Sequence, residues 1–215
     1  MEQTITILMS SPLFAGLTKE EIEKILTCSA TEPWQYPPGS IVLRAGDLLT
    51  TIPILLTGSL EITHGDGSSE TIHPGQLAIP ANALLPTRLT CTARTPDGCS
   101  LLCIDSSRIL EPCSSVCSCH LRMTRNLVRE VAADSVKNSE RLRHLSKRST
   151  REKLLSYLTA EAVRQCSDHI VIPLDRQQLA DYLSVDRSAM SAELSRMKAE
   201  GLIDYERSHF TIYHK

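Results

Sequence analysis

The stretch 172–206 reads IPLDRQQLADYLSVDRSAMSAELSRMKAEGLIDYE, and its order of local signals decides the fold. Asp175 and Gln178 have the spacing of a capping box, which predicts that QLADYL is a short helix. Ser184 and Val185 follow as a tight turn. Asp186 is placed to cap a second helix over RSAMSAELSRMKAE, and Gly201 ends it, since glycine accepts the left-handed conformation that closes a helix. Just upstream, HIVIPL reads as a short strand stopped by Pro173. Downstream, 202–213 reads as two short strands around Glu206-Arg207-Ser208. Helix, tight turn, helix and β-hairpin are the parts of a winged helix-turn-helix, whose second helix enters the DNA major groove.

Upstream of this unit, Leu154, Leu155, Leu158 and Ala162 give an amphipathic helix over about 150–163. Before it, from Cys117 onward, no proline interrupts the chain until Pro173. Cys117, Leu121, Thr124, Val128, Val131, Ser135, Asn138, Leu142 and Leu145 step by alternating fours and threes, which is an a/d seam over four heptads. Thr124, Ser135 and Asn138 weaken that seam, and an asparagine at such a position can fix register in a pair of helices. The seam is expected to join two copies of the chain through Leu121, Val128, Val131, Asn138, Leu142 and Leu145; the alternative is a helix lying on its own domain. Charge supports a polyanion partner. Residues 1–120 carry 6 Lys and Arg against 12 Asp and Glu, whereas 121–153 carry 10 against 4, so a basic stripe lies along the middle of a chain whose net charge is −2.

The first half has another texture. Thr18 and Glu21 form a capping-box spacing ahead of Ile22, Ile25 and Leu26, which predicts a helix. From about Trp34 to Asp105, the pieces SIVLRAG, IPILLTGSLEIT, QLAIPA, RLTCTART and SLLCI alternate with Pro-Gly, Gly-Asp-Gly and Pro-Asp-Gly turn signals. Short strands at such spacing predict a sandwich or barrel. No apolar run is long enough for a membrane span, and MEQTITILMSSPLFAGL has no basic region ahead of its apolar residues. A cytoplasmic protein with no membrane partner is expected, in which the 8 cysteines are free thiols, ligands or redox groups rather than structural disulfides.

With these residues in view, the chain resembles the CRP/FNR superfamily of bacterial transcription regulators. The resemblance is strongest over 172–206 and in PPGSIVLRAGD and GSLEI, and it extends over nearly the whole chain. It implies an α+β fold: an N-terminal β jelly-roll sensor domain of the cyclic-nucleotide-binding kind over 1–112, a dimerisation helix over 113–146, and a winged helix-turn-helix over 147–215. It also implies a homodimer on double-stranded DNA, with RNA polymerase as a further partner. DNA contacts are expected from Arg176, Gln177, Arg187, Ser188, Ser191 and Arg196. Arg187 matches the family's first recognition arginine, but Ser188 stands at its frequent glutamate position and Ala192 at its second arginine position. The half-site is therefore expected to differ from the family's best-known operators.

Other departures bear on the signal. Cyclic-nucleotide-binding members grip ribose and cyclic phosphate with a Gly-Glu and an Arg-Ser/Thr-Ala segment. Here PGQLAIPANALLPTRLTCTARTP puts Gln76 at the acid and follows Arg88 with Leu89-Thr90, without the small residues that let backbone approach a phosphate. Cyclic AMP is not the expected effector. The family's best-known iron–sulfur members carry a cysteine group near the N-terminus, where this chain has only Cys28.

One further cluster stands out: 113–120 reads CSSVCSCH. On a helix, Cys113, Cys117 and His120 share a face and Cys119 points away. Three such groups can hold a metal, haem iron or an iron–sulfur cluster, with Cys91, Cys99 or Cys103 as a fourth ligand. Thiol redox chemistry and plain packing are the alternatives, and a small organic ligand in the β-domain would serve as signal with structural cysteines. A cupin-like metal enzyme would need a His-x-His pair, and His64 and His73 stand apart, so no enzyme is expected.

Overall fold

The computed structural model describes residues 2–29, 31–65, 67–85, 87–111 and 118–213. The chain forms two compact units, Met1–Ala133 and Asp134–Lys215. In the first, α1 (Glu2–Ser10), a single turn of 3₁₀ helix (Pro12–Phe14) and α2 (Lys19–Ser29) precede the strands β1 (Pro33–Tyr36), β2 (Ile41–Leu43), β3 (Thr51–Gly58), β4 (Leu60–His64) and β5 (Ser69–Ile72). Then come α3 (Pro80–Leu84), β6 (Cys91–Arg94), β7 (Cys99–Asp105), α4 (Ser106–Leu110) and the long helix α5 (Ser118–Leu145). The strands make two antiparallel sheets, ordered β1-β7-β3 and β2-β6-β4-β5. This is the expected α+β architecture with a β sandwich first.

The apolar runs of β3 and β7 explain the layering. Strands covered on both faces need continuous apolar sequence rather than alternation. From β3, Leu55 enters the core between the two sheets with Leu60, Ile62, Ala93, Cys99 and Leu101. Its neighbours Ile52, Ile54 and Leu56 enter a second core with Leu8, Phe14, Ile22 and Ile25 of the helical layer. The strand ends at Gly58, where φ is +82° and a Cβ would stand 2.1 Å from the Gly98 carbonyl oxygen, so only glycine fits.

One reading of this half needs correction, and one strand escaped it. QLAIPA contributes only an isolated Ile54–Leu77 bridge and then the helix α3, because Pro80 has no N–H for a ladder but suits the first turn of a helix. The edge strand β5, SETI, is mostly exposed and carries no apolar alternation to betray it. The predicted helix after Thr18 is present with both halves of its capping box, Glu21 N–H to Thr18 Oγ1 at 3.3 Å and Thr18 N–H to the Glu21 carboxylate at 2.9 Å.

The second unit contains the end of α5, then α6 (Thr150–Gln165), β8 (His169–Val171), α7 (Arg176–Leu183), α8 (Arg187–Ala199), β9 (Ile203–Glu206) and β10 (His209–Ile212). The strands form a small antiparallel sheet ordered β8-β10-β9. Leu154 and Leu158 of α6, Leu179 and Leu183 of α7, Met190, Leu194 and Met197 of α8, and Phe210 of β10 share one core. Leu194 is fully buried there; truncating such a leucine to alanine costs about 2–5 kcal/mol.

Candidate nucleic-acid interface

The segment 172–206 folds as its signals dictate. Asp175 accepts from the Gln178 N–H at 2.8 Å while Gln178 returns a bond to the Asp175 N–H at 2.9 Å. Ser184 closes α7 with φ +49°, a left-handed cap that lets the chain turn at once into α8. Asp186 accepts from the Ala189 N–H at 2.8 Å, so α8 begins with its first N–H groups held.

With Met190, Leu194 and Met197 buried, the opposite face of α8 carries Ser188, Ala192, Ser195, Arg196 and Ala199, all exposed. Arg187 stands exposed at the first position of α8. The serine hydroxyls are occupied within the free protein: Ser191 donates to the Arg187 carbonyl at 2.9 Å, Ser195 to the Ser191 carbonyl at 3.0 Å, and Ser188 to the Asp186 carboxylate. Their short side chains let a groove floor approach the helix, and an arginine at its N-terminal end can reach a base edge.

The other expected contact residues are placed differently. Arg176, half-buried, lies over the rings of Tyr205 and Phe210 at 5.0 Å each, so its guanidinium braces α7 against the β9–β10 wing. Gln177 donates to Asp181 on its own helix at 2.9 Å. Arg196 is mostly exposed beside Glu193, 3.4 Å away. Four groups escaped sequence reasoning. Arg151 and Lys153 of α6 reach across to α8 and to the end of α7. Tyr205 holds Arg176, and Arg207 sits exposed at the wing tip with φ +53°. An arginine in the first turn of a helix, where the dipole favours acids, was the available signal for Arg151.

The heptad stripe of α5 divides between two tasks. Cys119, Met123 and Leu127 are buried in the core of the first unit, with Val131 packed against it. Asn126, also buried, donates to the Leu13 and Ala15 carbonyls at 3.0 and 2.9 Å, and Thr124 donates to the Ile109 carbonyl at 2.6 Å. The seam reading thus holds Val131 and Thr124 against their own domain. Leu121, Val128 and Leu142, seven or fourteen residues apart, are 60%, 58% and 66% exposed. Asn138 is exposed and Leu145 half-buried.

The end of α5 is fastened within the second unit. Arg141 Nε donates to the Tyr182 carbonyl at 3.2 Å, and Arg164 pairs with Glu140 at 2.7 Å. His144 is buried, its Nδ1 2.8 Å from Ser156 Oγ and its ring edge-on to Tyr157 at 5.8 Å. Burial, aided by Arg143 and Arg164 and opposed by Glu140 and Glu161, holds the imidazole below its ordinary value of 6.5. The unfolded chain then takes up a proton near that value while the folded one does not. Stability contributed by neutral His144 is present above pH 6.5 and is lost as the pH falls through the lower folded value. Denaturant midpoints recorded from pH 7.5 to 5 should therefore drop less in His144→Asn than in the parent; equal slopes would remove His144 from the account.

Of the clustered cysteines, Cys113 and Cys117 lie outside the described residues. Cys119 is buried in one core with Met123 and Leu127, and His120 is half-buried. Burial pushes the Cys91, Cys99 and Cys103 thiols up, which disfavours the thiolate that binds metals or reacts. Among the described residues no group of three or more His, Cys, Asp or Glu is gathered to hold a metal ion. Gln76 accepts from the His73 N–H at 2.8 Å, and Arg88 donates to the Gly46 carbonyl at 2.7 Å; each is engaged in its own loop. Among the described residues no helix is long and apolar enough to cross a membrane.

Residues 152–214 match the Crp-like helix-turn-helix domain, and 33–115 match the cyclic nucleotide-binding domain. No curated protein matches the chain. Among solved structures it is similar to the catabolite activator protein of Thermus thermophilus, with 20% identity, a TM-score of 0.51 and 94% of each chain covered. It is also similar to CLP, described as a c-di-GMP-responsive global regulator of Xanthomonas campestris, at 17% identity, TM-score 0.55, and 92% of this chain against 100% of that one. A third is a cysteine-to-serine variant of CprK complexed with OCPA, at 15% identity, TM-score 0.60, and 91% against 90%. At these identities the likeness is one of fold.

Proposed function

As the chain belongs to the CRP/FNR superfamily of DNA-binding transcription regulators, we propose that it acts as a homodimer reading a near-palindromic duplex, one α8 in each of two successive major grooves. The observation that carries this is the capped α8, its Arg187 exposed at the N-terminal end and its small Ser and Ala side chains outward. The exposed Leu121, Val128 and Leu142 supply the pairing face, with Asn138 on the same stripe setting register. In this reading 1–112 senses, 113–146 pairs and 147–215 reads DNA, in the cytoplasm and with RNA polymerase as the downstream partner. Sedimentation of the protein with and without a bound duplex tests it: two chains per duplex are expected, and one chain per duplex at saturation contradicts it.

The signal is something other than cyclic AMP, in keeping with the local engagements of Gln76 and Arg88. CprK complexed with OCPA and c-di-GMP-responsive CLP favour keeping a ligand in the β-domain as a second reading beside a metal, haem, cluster or thiol switch at 113–120. Elemental analysis and a visible spectrum of protein purified without oxygen separate the ligand from a metal, haem or cluster. Metal or a chromophore at stoichiometry supports the latter; absence of both leaves the ligand and the thiol switch, which operator affinity under reducing and oxidising conditions tells apart.

A further inference from the structure

Arg151 occupies the second position of α6, two residues after the Ser149 cap and beside Glu152, whose carboxylate completes the capping box. A base gains nothing from the helix dipole there, so its placement answers to something outside α6. The guanidinium is aimed at the flank of α8. Nε donates to Glu193 Oε1 at 2.5 Å, and Nη1 and Nη2 donate to the two oxygens of Glu200 at 2.9 and 2.7 Å. Glu193 and Glu200 are seven residues apart, two turns along one side of the α8 axis. A planar fork bound at two points along a helix resists both rotation about its axis and sliding along it, which a single point charge does not. Two residues on, Lys153 Nζ donates to the carbonyls of Leu183 and Ser184 at 3.1 and 3.3 Å, the turn from which α8 departs.

We propose that Arg151 is a positioning residue for sequence reading: without touching DNA, it sets the roll and axial seat of α8 so that Arg187 meets its base. The inference rests on the DNA-reading role of α8 and names a residue that controls it. A second consequence follows from charge. Without Arg151, the side of α8 that carries Glu193 and Glu200 would lose a cation, although Glu193 keeps Arg196 at 3.4 Å, and attraction to every duplex would weaken.

The two effects separate by substitution. For the duplex enriched by the wild type from a random pool, Arg151→Lys keeps the charge and loses the fork. It is expected to lower affinity for that duplex about tenfold or more while unrelated duplex and the salt slope stay as in wild type. Arg151→Ala should weaken both, and Arg151→Ala combined with Glu193→Gln and Glu200→Gln should restore unrelated binding but not the preference. Circular dichroism of each variant establishes that it folds. An Arg151→Lys protein that discriminates as well as wild type overturns the proposal. So does an Arg151→Ala salt slope reduced by about one, which would make Arg151 a phosphate contact. A wild type that prefers no sequence would overturn the underlying reading and this one together, and is told apart by that result alone.

Discussion

Arg187→Ala is expected to abolish most of the sequence preference, costing about 1–3 kcal/mol per half-site on the preferred duplex and little on an unrelated one. The expectation comes from what α8 offers. Its serines are bonded to the Arg187 and Ser191 carbonyls and to Asp186, and its alanines can make only apolar contacts. Arg187 is the long donor at the end that the Asp186 cap orients, and a bidentate arginine discriminates guanine from other bases by geometry. Competition titrations against the preferred and an unrelated duplex check it. Equal weakening on both would assign Arg187 to a phosphate.

Charged substitution on the exposed stripe of α5 should have a still larger effect. Val128→Glu with Leu142→Glu puts two carboxylates on the face that lies open at 58% and 66% exposure, while the stripe through Met123 and Leu127 that holds α5 to its own domain is untouched. The protein should stay folded and sediment as a monomer. Its affinity for the full site should fall by about 10²–10⁴-fold, the factor that tethering a second head supplies. Unchanged sedimentation of the double variant would show that pairing, if present, uses another face. Val131 and Leu145 make poorer probes than their heptad positions suggest, because both are already partly covered within the chain.

What could be read in the sequence was whatever is decided locally. Both helices of the reading head announce themselves through caps whose two partners lie three residues apart, and the structure holds Asp175 to Gln178 and Asp186 to Ala189. Strands β3 and β7 were legible because apolar runs flanked by turn residues have few other uses. What escaped was decided at a distance. The run TITIL alternates like a strand, yet α1 forms, burying Ile5 and Leu8; tertiary burial overrides the propensity of β-branched residues. Heptad spacing marks a buried stripe without saying which surface buries it, so Thr124 and Val131 pointed to a second copy and meet their own domain instead. Arg176 was expected to contact DNA, and its guanidinium lies over Tyr205 and Phe210, because aromatic partners some thirty residues away leave no trace in local spacing.

In the proposed assembly two α8 helices read one duplex together. Selection from a random duplex pool with purified protein, followed by hydroxyl-radical footprinting of the enriched sequence, tests it most directly. An inverted repeat is expected, its half-sites centred about one helical turn apart, each with a guanine protected in wild type and released in Arg187→Ala. Enrichment of a single half-site, or of no sequence at all, would contradict it.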